Sequence, residues 1–333
     1  MKYDYVIVGA GLFGATCAAL LWDKKVLVIE KENKVGGMCS TRLEDGMLIH
    51  EHGPHIFHTD NYWAWRFVNT YEEFKQFTYQ PVAYSNGEYF NLPINLMTYH
   101  RLNNKIGSPS EVSGAKEVEG MIHERFIKHY SEKQWGMPFQ QIPEEIVGRL
   151  IRRDTFDCNY FNDRYQGLPI NGYSSMIEKM LQKAEVKLNA EYEGEGGDQA
   201  IWTAPIEEYF YGEFGELDYR SLRFSHAKYY CKTHQGAPVV NYTGTEHYTR
   251  KIEWKHFHPA AVEHTIVTTE YPSDTGPKYY PIRTKGNVIK YEKYREEGLA
   301  RNNLHFGGRL GTYKYMNMDE VILQARDLIR RIK

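Results

Sequence analysis

The sequence predicts an α/β protein, and three features lead to that prediction. A short β-branched strand, a glycine-rich turn and a helix-forming stretch follow one another near the N-terminus. Another strand, glycine turn and amphipathic helix follow one another over residues 305–329. Between them, residues 220–280 contain several short strand-like pieces. Strands alternating with helices predict a parallel sheet, and the run of short strands predicts an antiparallel sheet beside it.

The first glycine turn carries a dinucleotide-binding pattern. Strand 5–8 runs into Gly9, Gly11 and Gly14 with the spacing G-x-G-x-x-G, and Phe13 lies inside the motif. In this Rossmann-like pattern the first glycine makes the turn, the second admits a pyrophosphate, and the third lets the helix pack on the strand. The helix N-terminus then directs the positive end of its dipole towards the phosphates.

A second strand, residues 26–29, ends at Glu30, 16 residues beyond Gly14. An acid at this place accepts hydrogen bonds from an adenosine ribose, so it favours a dinucleotide without a 2′-phosphate. Glu30 and the adjacent Lys31 are therefore predicted to contact the cofactor. A glycine turn beside a surface glutamate is the simpler alternative, but strand, turn, helix, strand and acid occur here in the order that a dinucleotide site needs.

A second pair of glycines indicates which dinucleotide is bound. Gly36 and Gly37 follow the second strand, as in FAD proteins rather than in NAD dehydrogenases, although an ordinary flexible loop also contains such pairs. Near the other end of the chain a strand runs into Gly308 and Arg309, and an amphipathic helix follows. Both ends of the chain are therefore predicted to build one FAD site, with the intervening segments inserted into the FAD domain.

These insertions predict a discontinuous domain organisation. The domains are an FAD-binding domain (1–78, 168–212 and 299–333), an inserted helical domain (95–150) and an antiparallel substrate domain (79–94, 151–167 and 213–298).

Composition excludes several classes of function. Forty-one Lys+Arg against 43 Asp+Glu give a net charge of −2, so no overall field would hold a nucleic acid. No apolar run approaches the ~20 residues that a bilayer helix needs, and the N-terminus shows no secretory pattern. The four cysteines lie far apart without metal-binding spacing. We therefore expect a cytoplasmic protein with reduced thiols, no metal, no membrane contact and no nucleic-acid partner.

Seven short strings, spread along the chain in a fixed order, form a family pattern. They are GPHIFHT (53–59), FNLP (90–93), YSEKQWG (130–136), NYFNDRYQG (159–167), YTR (248–250), YYP (279–281) and FGGRLGTY (306–313). In this order they resemble the UDP-galactopyranose mutase family, FAD-dependent isomerases that interconvert UDP-galactopyranose and UDP-galactofuranose. The resemblance covers nearly the whole chain.

The resemblance implies a chemistry without net oxidation. In the family, reduced FAD attacks the anomeric carbon of the galactose through its N5 atom, UDP leaves, and the sugar ring opens and recloses through another hydroxyl. NAD(P)H or another reductant must first reduce the flavin. Because departure of UDP develops negative charge on the diphosphate, fixed cations are expected around it.

The resemblance also implies a set of site residues. Arg149 and Arg250 match the diphosphate-binding arginines, a role suited to a planar guanidinium that stays protonated. His55 and His58 match a pair beside the isoalloxazine ring, and together with the arginines they form the implied catalytic set. The implied substrate-binding aromatic residues are Tyr130, Trp135, Tyr160, Tyr280 and Tyr315. Surface ion pairs for the arginines, and core packing for the histidines and aromatic residues, are the alternatives.

Two features depart from the family pattern. The Tyr-x-Asp-Met motif at a helix start reads YMNM over 315–318, so a carboxylate near the flavin becomes a neutral amide. Asn317 and Met318 are still assigned to the cofactor site. The insert between residues 104 and 130 is shorter than in the usual bacterial members, which leaves open whether the chain forms the family's homodimer.

Two other classes of function remain open at this point. An FAD oxidoreductase of the amine-oxidase type shares the fold and passes electrons from its substrate to oxygen, but it has no diphosphate for Arg149 and Arg250 to bind. A non-catalytic nucleotide-sugar-binding relative is the other alternative, and Asn317 and the short insert motivate it. The favoured prediction is a mutase whose small-molecule partner is UDP-galactose.

Overall fold

The computed structural model describes residues 2–103, 116–143 and 152–333. Arg149 and part of the shortened insert therefore lie outside the described residues. The strands of the described chain are β1 (Tyr3–Val8), β2 (Val26–Ile29), β3 (Thr41–Glu44), β4 (Met47–His50), β5 (Phe57–Thr59), β6 (Phe74–Gln76), β7 (Val82–Ser85), β8 (Glu88–Asn91), β9 (Tyr165–Pro169), β10 (Glu185–Lys187), β11 (Gly197–Trp202), β12 (Tyr219–Tyr229), β13 (Val239–Tyr242), β14 (Arg250–Glu253), β15 (Thr265–Ser273), β16 (Tyr280–Pro281) and β17 (Leu304–Phe306).

The α-helices of the same residues are α1 (Leu12–Leu20), α2 (Tyr62–Tyr71), α3 (Leu96–Asn103), α4 (Lys116–Ile122), α5 (His129–Trp135), α6 (Gly172–Leu181), α7 (Ile206–Tyr209), α8 (Lys285–Leu299), α9 (Gly308–Gly311) and α10 (Met318–Ile332). A π-helical segment, His123–Lys128, joins α4 to α5, and 3₁₀ turns occur at Gly37–Cys39, Phe139–Gln141 and Trp254–His256.

A parallel sheet forms the first layer of the fold. In the described chain it has five strands in the order β10-β2-β1-β11-β17, and each neighbouring pair is parallel. β2 is buried along its whole length, as expected for a strand covered on both faces. The parallel sheet confirms the predicted α/β class with a Rossmann-like domain. Because these strands are parallel, the carboxyl ends of β1, β2, β11 and β17 lie at the same end of the sheet.

Helices α1, α6 and α10 pack with this sheet in one hydrophobic core, to which α2 also contributes Ala64 and Val68. The buried face of α1 consists mainly of small residues, including Ala15 and Ala18, so α6 and α10 pack closely beside it. α6 contributes Met176 and Ile177, and α10 contributes Ile322 and neighbouring apolar residues. The N-terminal and C-terminal parts of the chain therefore fold into one layer.

A second, largely antiparallel sheet lies beside the first. Among the described residues its order is β16-β12-β15-β14-β13-β7-β8, and the β13–β7 pair is its parallel one. The longest ladder joins β12 to β15, from Ser221 opposite Ser273 to Tyr229 opposite Thr265. Trp254 and Phe257, after β14, pack with Ile49 of β4 in a second apolar core. This sheet carries Arg250 and Tyr280.

The helical insert packs on the β7–β8 end of the second sheet. Phe90 of β8 contacts the insert core, which contains Ile122, Phe126 and Ile127. Helix α5 follows the π-helical segment and ends at Gly136, which has a left-handed φ of 66°. Tyr130 and Trp135 both belong to α5, so the insert brings them towards the second sheet.

The predicted domain boundaries stay a proposal, and two elements pack across them. β9 pairs with β5 and β6, which are assigned to the FAD-binding segments. α8, assigned to the substrate domain, contributes Tyr291 and Tyr294 to a cluster with Ile206 and Phe210 of the FAD-binding segment. Over the described ranges, no helix is both long enough and apolar enough to cross a bilayer.

Candidate active site

A cleft of about 1270 Å³ opens at the carboxyl edge of the parallel sheet. It exceeds the ~300–1,000 Å³ of ordinary small-molecule pockets, as an extended dinucleotide requires. The predicted cofactor residues that line it are Gly9, Gly11, Phe13, Glu30, Lys31, Gly37, Gly308, Arg309 and Met318. Ligands of open α/β sheets bind at this edge because the loops after neighbouring strands meet there.

The first glycine turn is shaped by close backbone contacts. Gly9 has a φ of 105°, and a Cβ atom there would lie 2.1 Å from Oγ1 of Thr203, in the loop after β11. A Cβ atom on Gly14 would lie 2.0 Å from the carbonyl oxygen of Gly9. Gly14 therefore packs against the backbone of the turn and does not line the cleft.

The second glycine pair packs directly on the first turn. Gly36 donates its N–H to the carbonyl of Ala10 at 3.0 Å and forms a bridge with Gly11. Gly37 has a φ of 52°, and a Cβ atom there would lie 3.1 Å from Cα of Gly11. The left-handed φ and this close contact favour glycine at position 37, and Gly37 lines the cleft.

The C-terminal glycine turn packs against the first glycine motif, and Gly308 lines the cleft. A Cβ atom on Gly307 would lie 2.0 Å from the ring of Phe13, which is 4% exposed. Gly308 has a φ of 74° and donates its N–H to the side-chain oxygen of Gln324 at 2.9 Å. Segments about 300 residues apart in the chain are thus in direct contact around the cleft.

Glu30 is a buried carboxylate at the end of β2. It accepts hydrogen bonds from the N–H groups of Ala10 at 2.7 Å and Glu32 at 3.0 Å. These contacts fix the carboxylate beside the first glycine turn, where a ribose would pass. Together with the glycine cradle, this arrangement fits an adenine dinucleotide. The described ranges contain no group of three side chains suited to a metal ion.

His55 lines the cleft and is held at three points. Its Nδ1 lies 2.8 Å from the carbonyl of Gly53, its backbone N–H donates to His50, and its carbonyl accepts from the Tyr173 hydroxyl. Burial and the nearby Arg309 guanidinium lower the pKa of His55 to about 3. The ring is therefore neutral at pH 7, and because Nδ1 donates to a carbonyl, Nε2 is an acceptor.

The structure does not place His58 in the cleft with His55. The Nδ1 atom of His58 lies 3.0 Å from a carboxylate oxygen of Asp163. Its ring stacks on Phe161 with centroids 3.7 Å apart. His58 thus lies in a polar and aromatic setting and does not line the cleft.

Arg250 is the centre of a second group of predicted residues. It donates to both carboxylate oxygens of Glu270, from Nε at 3.0 Å and from Nη2 at 2.5 Å. Burial opposes its charge, but Glu270 outweighs burial and raises the pKa of Arg250 well above its ordinary value. Burial raises the pKa of Tyr130, and the positive charge of the nearby Arg250 partly offsets that rise. Gly53 packs against the same ion pair.

Arg309 joins this group to the cleft. Its guanidinium carbon lies 4.6 Å from the ring centroid of Tyr315 and 5.6 Å from that of Tyr280. These two rings stack with centroids 5.8 Å apart, and the ring of Trp135 lies 6.0 Å from Tyr280. One cation therefore contacts both the cleft and the predicted substrate-binding aromatic residues.

Two predicted residues occupy places next to the site. Tyr160 packs on Tyr79 with ring centroids 5.4 Å apart and takes part in the cores beneath the second sheet. Asn317 is exposed at the start of α10, and its backbone N–H donates to Glu320 at 2.7 Å. Its neighbours Met316 and Met318 line the cleft.

Several cleft residues were missed by sequence reasoning. Thr203 follows β11 and donates its hydroxyl to the carbonyl of Val8 at 2.8 Å. Its position directly after a strand of the parallel sheet is the sequence feature from which it could have been predicted. Tyr279, in the YYP string, bonds to His52 at 2.6 Å, and both line the cleft. We find no sequence signal for His52.

The glycine cradle, the buried acid and the cleft at the sheet edge define a dinucleotide-binding protein with a Rossmann-like domain. A family model for the NAD(P)-binding Rossmann-like domain matches residues 7–71. A second family model, for UDP-galactopyranose mutase, matches residues 125–315, which is more than half of the chain. The chain belongs to the UDP-galactopyranose mutase family, and the predicted enzyme family is confirmed.

Individual relatives agree with this assignment. The chain is 34% identical over 356 residues to a probable UDP-galactopyranose mutase of Klebsiella pneumoniae, covering 97% of this chain and 92% of the relative. It is 32% identical over 364 residues to a dTDP-fucopyranose mutase of Escherichia coli, covering 96% of each. A crystal structure of reduced UDP-galactopyranose mutase has the same fold, with a TM-score of 0.80, 15% identity, and coverage of 100% of this chain and 94% of that one.

Proposed function

We propose that this chain interconverts UDP-galactopyranose and UDP-galactofuranose and that it uses FAD. Membership of the mutase family supports the reaction type. The structural observation that supports it best is Arg309, which contacts Tyr280 and Tyr315 and also lines the dinucleotide cleft. A sugar among these aromatic residues would therefore lie within reach of a cofactor in the cleft.

The residues of the cleft fit FAD. Glu30 would accept from the ribose hydroxyls, and the backbone between Gly9 and Gly11 would approach the pyrophosphate at the N-terminus of α1. Gly37, Gly308 and the neighbouring wall leave room for the remainder of the molecule. When bound and reduced, FAD would supply the nucleophilic N5 atom that reacts with the anomeric carbon of the sugar.

The chain's own cations would stabilise the leaving UDP. Arg250 stays protonated, as guanidinium groups do, and its hydrogen bonds to Glu270 fix its position before substrate binds. A guanidinium fixed in this way stabilises the charge that develops on the diphosphate. Arg149 is proposed as the second cation on the family pattern alone. Burial raises the pKa of Tyr280 to about 12, so its hydroxyl stays protonated and can donate to a phosphate oxygen.

Aromatic residues would orient the nucleotide sugar and exclude water. Tyr130 and Trp135 of α5 stand near Arg250 and Tyr280, where a ring can cover the uracil or the sugar. His55 would present its neutral Nε2 as an acceptor in the cleft. His58, paired with Asp163, does not line the cleft and is proposed to support the residues that do.

A second candidate substrate follows from the comparison with the Escherichia coli relative. That relative is named a dTDP-fucopyranose mutase and is nearly as similar to this chain as the Klebsiella protein. The two reactions are of the same type and differ in the base and the sugar. Interconversion of dTDP-fucopyranose and dTDP-fucofuranose is therefore the alternative activity.

A direct assay separates these activities. The purified protein is checked for bound flavin by absorbance, reduced with dithionite, supplied with UDP-galactofuranose, and the products are followed by chromatography. We expect UDP-galactopyranose to form only with the reduced protein. A parallel assay with dTDP-fucofuranose tests the second substrate, and NAD(P)H in place of dithionite tests the reductant.

Each result has a distinct meaning. Turnover of UDP-galactofuranose would also show that Asn317 is compatible with activity. Conversion of the dTDP-sugar alone would replace the proposed substrate. UDP binding without conversion of either sugar would indicate a non-catalytic relative. A flavoprotein that binds neither nucleotide would support the alternative of an FAD oxidoreductase of the amine-oxidase type.

A further inference from the structure

Arg220 is a buried arginine that no part of the proposed chemistry uses. It lies on β12, is 4% exposed, and donates from Nε to the carbonyl of Gln134 at 2.7 Å. Nη2 donates to the carbonyl of Lys133 at 3.2 Å, and Nη1 forms an ion pair with Asp274. One guanidinium thus binds two backbone carbonyls and a carboxylate that belong to different segments.

The two carbonyls belong to the last turn of α5. Carbonyls at a helix C-terminus lack intrahelical partners, and a cation there also interacts favourably with the helix dipole. The helix ends at Gly136, where a Cβ atom would lie 2.7 Å from Nη1 of Arg220. Arg220 therefore fills the space at the end of the helix that carries Tyr130 and Trp135.

The same residue is bonded to the segment that carries Tyr280. The backbone carbonyl of Arg220 accepts from the N–H of Tyr279 at 3.1 Å, and Arg220 pairs with Tyr280 in the β12–β16 ladder. Asp274, which pairs with the guanidinium, lies between β15 and β16 and is largely exposed. Arg220 thus contacts the two elements that carry Tyr130, Trp135 and Tyr280.

Lys133 is a second, partly buried cation that fixes the last turn of the same helix. Nζ of Lys133 donates to the carbonyls of Tyr242 at 2.8 Å and Gly244 at 3.1 Å. These carbonyls belong to the end of β13 and the loop after it. Because Lys133 fixes α5 to β13 independently, loss of the Arg220 contacts would shift the end of the helix without detaching it.

We propose that Arg220 is a positioning residue for nucleotide-sugar binding. It holds the C-terminal turn of α5 against β16, and so sets the 6.0 Å separation between the rings of Trp135 and Tyr280. This inference rests on the proposed function, since it assigns these two rings to the nucleotide-sugar site. Lysine cannot replace arginine here, because an ammonium group lacks the planar fork that reaches three acceptors at once.

The first test compares Arg220→Lys with wild type and with Arg223→Lys, a control at an exposed arginine on the same strand. UDP affinity is measured by calorimetry, bound FAD by absorbance, and kcat and KM with UDP-galactofuranose. In Arg220→Lys we expect UDP to bind on the order of tenfold more weakly, corresponding to ~1.4 kcal/mol. KM should rise by a larger factor than kcat falls, and FAD content should be that of wild type. Arg223→Lys should bind UDP as wild type does.

A second variant covers the case in which Arg220→Lys does not fold. Asp274→Asn changes an exposed side chain and removes only the charge that faces the guanidinium. It should weaken UDP binding in the same direction by a smaller factor, with FAD retained. If Arg220→Lys is insoluble, the UDP affinity of Asp274→Asn alone tests the positioning role of Arg220.

The outcomes separate this inference from the proposed function. Wild-type UDP affinity in both variants, with FAD bound, overturns the positioning role and leaves the proposed function intact. Parallel loss of FAD and UDP in Arg220→Lys also overturns it, because the residue would then support the fold in general. A wild-type protein that binds no UDP overturns the proposed function and this inference with it.

Discussion

Arg250 and Glu270 lie directly opposite each other on neighbouring antiparallel strands, joined by two hydrogen bonds from guanidinium to carboxylate. Glu270 is fully buried and also accepts from the hydroxyl of Thr249 at 2.9 Å. The fold therefore orients the arginine before any substrate arrives. Such preorganisation makes a charge effective in stabilising a transition state, because no reorganisation is needed during the reaction.

Replacement of Arg250 by alanine should abolish most mutase turnover and leave FAD bound. The loss of one preorganised donor to a developing anion lowers kcat by on the order of 10²–10³. The variant also leaves the Glu270 carboxylate buried without its partner, which costs about 3–5 kcal/mol of stability. Turnover is measured by chromatography and stability by urea unfolding.

A double variant separates these two effects. Arg250→Met combined with Glu270→Gln removes both charges, so most of the stability should return while turnover stays low. Wild-type turnover in either variant would contradict the role of Arg250 in binding the diphosphate.

Replacement of Glu30 by alanine should weaken FAD retention. The carboxylate is fixed by the N–H groups of Ala10 and Glu32, and its removal takes away the acceptor proposed for the ribose. The flavin-to-protein absorbance ratio after gel filtration should fall well below that of wild type. Glu178→Gln, at an exposed position on α6, provides the control. Full flavin occupancy in Glu30→Ala would argue against the ribose contact.

Replacement of Gly307 by alanine should disrupt the cleft. The new methyl group would lie 2.0 Å from the Phe13 ring, which is buried and cannot move aside without shifting its neighbours. Overpacking of this kind costs about 1–3 kcal/mol, and here it should also reduce bound FAD. Gly286→Ala, where a Cβ atom meets nothing within 4 Å, should keep FAD and wild-type stability. Equal flavin content in both variants would count against this contact.

The free energy of unfolding should decrease as the pH falls from 7 to 5.5. Burial lowers the pKa values of His50, His55 and His258, the last two to about 3 and 4. Below pH 6.5 the unfolded chain therefore binds protons that the folded chain does not. Each such histidine contributes a loss of about 1.4 kcal/mol per pH unit in that range. His256 opposes this trend, because its hydrogen bond to Glu253 raises its pKa.

A variant isolates one of these groups. His258→Gln removes a titrating ring that lies 3.2 Å from His50. Its unfolding free energy should depend less steeply on pH than that of wild type. His247→Gln changes an exposed ring and should follow the wild-type curve. Parallel curves for wild type and His258→Gln would show that this ring is not the buried neutral group described.

The glycine-lined part of the cleft could be predicted from sequence because its signal is local. The glycines at 9, 11 and 14, the strand before them and Glu30 lie within one βαβ unit, so their spacing alone predicts a cradle. The position of Gly37 near this turn was also predicted from a short pattern, the pair of glycines that follows the second strand. Distant contacts within the same site, such as Phe13 with Gly307, were implied only by the fold class.

The part of the site that is proposed to bind substrate was predictable only where a family string marked it. Glu270 lies within the strand TIVTTEYPS, where nothing local shows that its side chain faces Arg250, 20 residues away. Arg220 was missed for the same reason. The family pattern assigned His58 and Asn317 to the flavin site, but it did not show that the His58 ring pairs with Asp163 or that Asn317 lies exposed at a helix start. Side-chain direction depends on tertiary packing, which a string of residues does not record.

The contact between Phe13 and Gly307 can form only after the ribosome has synthesised residue 307. A ribosome adds about 5–20 residues per second, so the glycine turn at Gly9 emerges roughly 15–60 s before its partner at Gly307 exists. During that interval the cleft lacks the C-terminal part of its lining, which includes Gly308, Arg309 and Met318. Stable capture of the flavin would therefore follow completion of the C-terminal segment, and an interrupted chain would emerge without its cofactor.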